Sequence, residues 1–377
     1  MRERALVLDT DKTQLDQALI QHQDIDYLRI STSEIRFVLQ EETLAAINNI
    51  MNRTPFQYVV ASSESNMEFA GFLRSRYGLA GLSYEQALCA TNKWRMRQCL
   101  ANDLPMPKCW LSGHFRDNFA QLTQGEEATH FIIKPLSGSS SQGVECLTID
   151  QLHKKLEYLD TLMLVEEAIN IDEEFHFDGI VDQSGIINAQ LSCYDQPLLR
   201  ARGQTGASIH LPSSHAMFSI AHSLAQRAIR KLELQQGVFH MEIYRQGDHV
   251  IFGEIGLRPP GAGNAESLLR LTGMNLWQAF VNSQLSRPID NTPSRVYNGY
   301  SGIIKVYPRG YKTSDLLRLP NVVAVSEIKQ VPQKTSRPGV TDFRYLVFAA
   351  CQSQAEFHAL IKQLSDYPLT QATKDKS

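Results

Sequence analysis

Glu242 and Glu254 lie on two stretches, 238–244 and 250–255, that read as neighbouring strands joined by a polar turn around Gly247 and Asp248. Alternation along the first puts Phe239, Met241 and Ile243 on one face and His240 and Glu242 on the other. A connecting loop of three or five residues would set Glu242 directly opposite Glu254, with Cβ atoms about 5 Å apart. A loop of even length would put the two on opposite faces. Opposed carboxylates can hold Mg²⁺ through oxygens at about 2.1 Å; separated, they are solvated carboxylates on an exposed sheet. Glu254 sits in an apolar stretch. Arg258 follows it on the loop Pro259-Pro260-Gly261, where a guanidinium can stabilise a developing anion.

A second cluster is Lys134, at the end of the apolar stretch 131–133, followed by the small-residue loop 137–143 with Ser139, Ser140, Ser141 and Gly143. A lysine, hydroxyls and accessible backbone N–H groups suit phosphate oxygens, although the same loop reads equally as a surface turn. Gly138 and Gly143 have P-loop spacing, but Val144-Glu145 stands where Lys-Ser/Thr should follow, which excludes a Walker site. A third stretch, 164–169, carries Glu166, Glu167 and Ala168. A strand leaving a sheet there can offer backbone groups to a flat base, and Glu173 or Glu174 can accept from ribose hydroxyls. Arg200 and Arg202 can grip a carboxylate or be solvated loop arginines. His176, His210 and His240 are given no catalytic role. Cys89, Cys99 and Cys109 read as structural thiols.

These groups need strands to hold them, and the pattern supplies strands. Strand-like 5–8, 27–30 and 57–61 alternate with helix-like 11–21, 40–51 and 67–77, which predicts a parallel sheet flanked by helices. The first strand-to-helix turn, Leu8-Asp9-Thr10-Asp11, has no glycine, so a dinucleotide fingerprint is absent. Thr91 and Asn92 are candidate N-caps of a helix to about residue 102, and Pro105 and Pro107 read as a linker. Short strands are expected at 131–133 and 162–165, with a hairpin of 175–181 and 186–192 around Asp182-Gln183-Ser184-Gly185. Met217, Ile220, Ala221, Leu224, Ala228 and Leu232 recur at helical spacing. Strands 302–307 and 345–349 and a helix over 354–364 close the pattern, before a polar, frayed end after Thr370.

At 377 residues, two or three domains are expected. Apolar residues are 43 % and charged residues 20 %, an ordinary globular composition. A net charge of −3 argues against a generally basic nucleic-acid binder. No apolar run reaches the roughly 18 residues of a membrane helix, and the start is too short and acidic for a secretion signal. The six cysteines include no Cys-x-x-Cys pair, so neither a disulfide framework nor a zinc site is indicated. A cytoplasmic enzyme without nucleic-acid or membrane partners is the expectation.

Taken in order, Thr91-Asn92-Lys93-Trp94-Arg95-Met96-Arg97, then 131–143, 164–178, 237–243 and 252–263 resemble the ATP-grasp superfamily, over roughly residues 1–300. Glu254-Ile255-Gly256-Leu257-Arg258-Pro259-Pro260-Gly261 is similar to its carboxylate–amine ligases, amino-acid ligases among them. The resemblance implies an α/β and α+β fold. A Rossmann-like parallel-sheet domain (1–90) would precede a lid domain (91–165), a large antiparallel-sheet domain (166–292) and a C-terminal α+β subdomain (293–377). It also implies ATP and one or two Mg²⁺, with Mn²⁺ as a substitute. Lys93 and Lys134 would contact phosphates under the 137–143 loop, with Ser139, Ser140, Ser141 and Gly143. Glu166, Glu167 and Ala168 would line the adenine, Glu166 and Ala168 pairing with it through backbone groups, and Glu174 would hold the ribose. Glu242 and Glu254 would bind metal, and Arg258 and Lys134 would be the catalytic cations. Arg200, Arg202, Arg258 and Gly261 would meet substrate. Gly256 stands where many members carry a further Asn ligand. The implied reaction joins a small acid and an amine through an acyl phosphate, releasing ADP. Other chemistries of the superfamily, carboxylation or formylation, and a non-catalytic ATP-binding regulator are the alternatives. Members are often dimers.

Overall fold

A computed structural model describes residues 2–10, 12–31, 41–53, 55–124, 129–139, 141–201, 203–290, 299–307, 311–328 and 343–366. Ser140, Arg202, the first residue of each of the first two expected helices and the polar end after Thr370 lie outside them.

The first sheet is parallel, in the order β2–β1–β3: β1 (Glu3–Asp9), β2 (Ile25–Ser31) and β3 (Tyr58–Ala61). Leu6, Val7 and Leu8 are fully buried, because helices cover both faces of a parallel sheet. Helix Glu64–Tyr77 ends at Gly78, whose φ of 66° is the left-handed conformation a C-terminal glycine supplies. A helix at Tyr84–Thr91 follows, capped by Ser83, and it corrects the expected capping at Thr91. Thr91 is its last residue and donates to Ala87 O, while Asn92 alone caps helix Lys93–Leu100 by accepting from Arg95 N.

Next comes a four-stranded antiparallel sheet, order β4–β7–β5–β6: β4 (Cys109–Leu111), β5 (His130–Pro135), β6 (Glu145–Thr148) and β7 (Met163–Glu167). Its end at Glu167, paired with Phe131, lies past the expected boundary at residue 165. Trp110, Phe115 and Phe131 pack edge to face beneath it. The Pro105–Pro107 segment is more than a linker, since Pro105 O accepts from Phe252 N and ties this sheet to the next.

The large sheet has eight antiparallel strands, order β12–β11–β8–β9–β10–β13–β15–β14. These are β8 (Glu173–Asp182), β9 (Gly185–Tyr194), β10 (Gly206–His210), β11 (Gly237–Gln246), β12 (His249–Gly256), β13 (Tyr300–Val306), β14 (Val322–Glu327) and β15 (Tyr345–Cys351). β10 pairs with β13, so the strands expected to form a separate C-terminal subdomain extend this sheet. Helix Ala216–Lys231 buries Met217, Ala221, Leu224 and Ala228 against it, while Ile220 is exposed. No helix among the described residues is long and apolar enough to cross a membrane.

Candidate nucleotide and acceptor site

The turn between β11 and β12 is two residues long, Gly247 and Asp248, between paired Gln246 and His249. By parity alone that even loop would place Glu242 and Glu254 on opposite faces. A β-bulge reverses this outcome. Ile243 pairs with Phe252 but Glu242 pairs with Glu254, so Gly253 is the extra residue and the carboxylates stand side by side. The bulge needs glycine: a Cβ at 253 would lie 2.8 Å from the Tyr244 ring and 3.0 Å from Glu242 O.

Cations surround the pair. Lys93 Nζ lies 3.2 Å from Glu254 and donates to Gly138 O at 2.8 Å. Burial would raise the Glu254 carboxyl, but Lys93, Lys134 and Arg258 hold it below the usual carboxylate range. Lys134 Nζ pairs with Glu166 at 2.6 Å, and Arg97 grips the other oxygen of Glu166 at 2.7 Å. Against burial, those two cations bring the Glu166 carboxyl down to about 2. Arg258 pairs with Glu64 at 2.6 Å, a residue from the start of the helix after β3.

A third carboxylate completes the group. Glu174 is buried, accepts from Leu198 N at 2.8 Å, and is pushed well above the usual carboxylate range, first by burial and then by Glu242 and Glu254. Crowded carboxylate oxygens fit a hard divalent cation, so Glu242 and Glu254 are suited to Mg²⁺ and Glu174 stands beside them. Gly256 offers no side-chain ligand.

Two cavities meet at this group. One, of about 170 Å³, has Lys93, Lys134, Ser139, Ser141, Glu166, Glu167 and Glu174 on its walls, with apolar Ile132, Ile169 and Tyr244. The other, of about 420 Å³, takes in Ser63, Glu64, Arg258, Gly261, Asn264 and Lys305. Glu242, Glu254, Ser139 and Leu198 line both. The chain entering the small-residue loop is tied down beside the first cavity, since Lys93 N donates to Leu136 O and Asn92 bridges Ser137. Gly143 has φ 69°, and a Cβ there would meet Pro135 at 2.9 Å.

Some sequence-expected contacts are displaced. The Ala168 N–H is already used, donating to His130 O at 3.1 Å, so it is not free to pair with a base. Ile169, one residue on, lines the cavity in its place. Arg200 is exposed, bonds Asn170 at 3.3 Å and lines neither cavity. Sequence reasoning also missed Glu64, Arg97, Tyr194, Asn264 and Lys305 as parts of the site. Only Ser63, an N-cap before Glu64, gave a local signal.

Behind Glu242 lies a buried network. Asp178 accepts from His176 and His240, at 2.6 Å each, and the second nitrogen of His176 meets Ser208 at 2.6 Å. Although burial opposes it, Asp178 and Glu242 lift His240 to about 9, an imidazolium at neutral pH. These three side chains are near enough to hold a metal ion, but both Nδ1 atoms already bond Asp178 and His176 Nε2 meets Ser208, which disfavours one.

No family model matches the chain. It is 27 % identical over 251 residues to an L-arginine-specific L-amino acid ligase of Bacillus subtilis, a match spanning 63 % of this chain and 60 % of that protein. Its fold superposes on an L-amino acid ligase from Bacillus licheniformis with TM-score 0.73 at 16 % identity, covering 97 % of each chain. A carboxyaminoimidazole ribonucleotide synthase from Aspergillus clavatus, solved with ATP, gives TM-score 0.72 at 14 % identity, covering 97 % of this chain and 99 % of that one. With its parallel N-terminal sheet, four-stranded antiparallel sheet and large antiparallel sheet, the chain has the ATP-grasp fold, and its sequence is similar to that of an L-amino acid ligase.

Proposed function

We propose that the protein is an ADP-forming ligase that joins a small carboxylic acid, an amino acid in the first instance, to an amine. The observation that carries this reading is the seam of Glu242 and Glu254 shared by two cavities, one lined by lysines and apolar walls, the other polar. A carboxylate is a poor electrophile, so condensation needs activation. An acid in the larger cavity would attack the γ-phosphorus of ATP held in the smaller one. The bond to the β-phosphate oxygen breaks, ADP leaves and an acyl phosphate remains. The amine nitrogen then attacks the acyl carbon, the C–O bond breaks, phosphate departs and the nitrogen loses a proton.

Phosphoryl transfer depends on positioning and charge neutralisation. Lys93 and Lys134 would hold the phosphates, and Arg258 the acid and the charge that develops on it. Mg²⁺, held by Glu242 and Glu254, would supply Lewis-acid neutralisation of the phosphate oxygens when bound. Ser139 and its loop would exclude water from the acyl phosphate. ADP release across amino acids, singly and in pairs, tests the reading, and stimulation by a pair is expected. AMP with pyrophosphate would overturn it. Stimulation by bicarbonate or formate alone would move the assignment to carboxylation or formylation, the second reading, which the likeness to the carboxyaminoimidazole ribonucleotide synthase favours.

A further inference from the structure

Two polar groups of the larger cavity are left without partners by the mechanism and by the fold. Lys305, on β13, is buried with 8 % exposure, and among the described residues no carboxylate lies within ion-pair distance of it. Its ammonium sits 5.4 Å from the centre of the Tyr194 ring. Asn264, at the start of helix Asn264–Thr272, is 4 % exposed and bonds Tyr194 through its side chain, yet its Oδ1 has no hydrogen-bond partner. A buried ammonium and a buried orphan carbonyl both cost stability unless something satisfies them. Both flank Tyr194, and both line the same cavity.

We infer that Lys305, Tyr194 and Asn264 form a subsite for an α-amino acid, the amine substrate, with Lys305 holding its carboxylate and Asn264 Oδ1 accepting from its amino group. The inference rests on the ligase reading above and adds the residues that would hold the second substrate. Lys305 lines the larger cavity but not the smaller. Arg258, which lines the same cavity, is assigned to the carboxylate that is phosphorylated, and this leaves Lys305 for the carboxylate of the second substrate. A monoanion suits it better than a phosphate, because Asp195, Glu174 and Glu242 already place negative charge around it.

The test compares L-alanine with L-alaninamide as the amine, beside an acid that supports ADP release, in wild type and in Lys305→Met. Wild type is expected to favour alanine by roughly tenfold or more in kcat/KM, the preference residing in KM. Lys305→Met is expected to erase that preference, and Lys305→Arg to retain most of it. Equal use of alanine and alaninamide by wild type overturns the subsite without touching the ligase reading, and so does a preference that survives in Lys305→Met. Hydroxylamine trapping separates the two levels. Hydroxamate formed from the acid shows that the acyl phosphate is made. No hydroxamate from any acid of the panel sinks the ligase reading, and this subsite with it.

Discussion

The smaller cavity and the larger one are built on opposite electrostatic plans. In the smaller, each lysine already faces a carboxylate: Lys93 faces Glu254, and Lys134 faces Glu166 together with Arg97. In the larger, Arg258 is matched by Glu64, but Lys305 and Asn264 Oδ1 are left open. Paired cations hold their places before a polyanion arrives, so little reorganisation is needed at the phosphate end. Open groups cost stability in the free protein and are repaid only by a ligand that satisfies them, which is how a site discriminates. The difference suggests a nucleotide end built for charge and an acceptor end built for selection.

Substitutions at the seam should break both ends at once. Glu254→Gln is expected to lower kcat roughly 10³-fold or more while circular dichroism stays unchanged, since it removes a proposed metal ligand and the partner of Lys93. Arg258→Met should cost roughly 10²- to 10³-fold in kcat/KM, measured by coupled ADP release, with ATP affinity little altered. Gly253→Val sharpens the geometric claim. Overpacking against Tyr244 and loss of the bulge should cost about 1–3 kcal/mol in urea unfolding, with a fall in turnover, because Glu242 and Glu254 no longer face each other.

The smaller cavity carries an acid-sensitive element of its own. Glu166 titrates near 2 in the fold and near about 4.3 when unfolded. Its stabilisation is thus present above about pH 4.3 and lost as pH falls toward 2, with a slope of up to about 1.4 kcal/mol per pH unit. Urea titrations at pH 5 and pH 3.5 should show a steeper loss in wild type than in Glu166→Gln. Smallest of all, Arg200→Ala should change kinetic constants by less than about twofold, as an exposed side chain outside both cavities.

The nucleotide end was legible because its parts are local in sequence. Lys134 closes a strand and its loop follows directly, and β11 and β12 are neighbours along the chain. Alternation put Phe239, Met241 and Ile243 in the core and Glu242 on the other face, as the structure has them. Of the larger cavity, little beyond the seam and the loop with Arg258 and Gly261 was legible. Glu64 reaches Arg258 across 194 residues, and Lys305 and Asn264 come to Tyr194 through the pairing of distant strands and a helix start, none of which a local pattern encodes. Turn parity misled for a physical reason: Gly253 adds a residue to one strand, and a lone glycine inside a strand pattern signals such a bulge only weakly.

The most direct test is a crystal structure with Mn²⁺ and a non-hydrolysable ATP analogue, read by manganese anomalous scattering. The account predicts a peak between Glu242 and Glu254, with the triphosphate against Lys93 and Lys134. A peak at His176, Asp178 and His240 instead, or none beside the two glutamates, would contradict it.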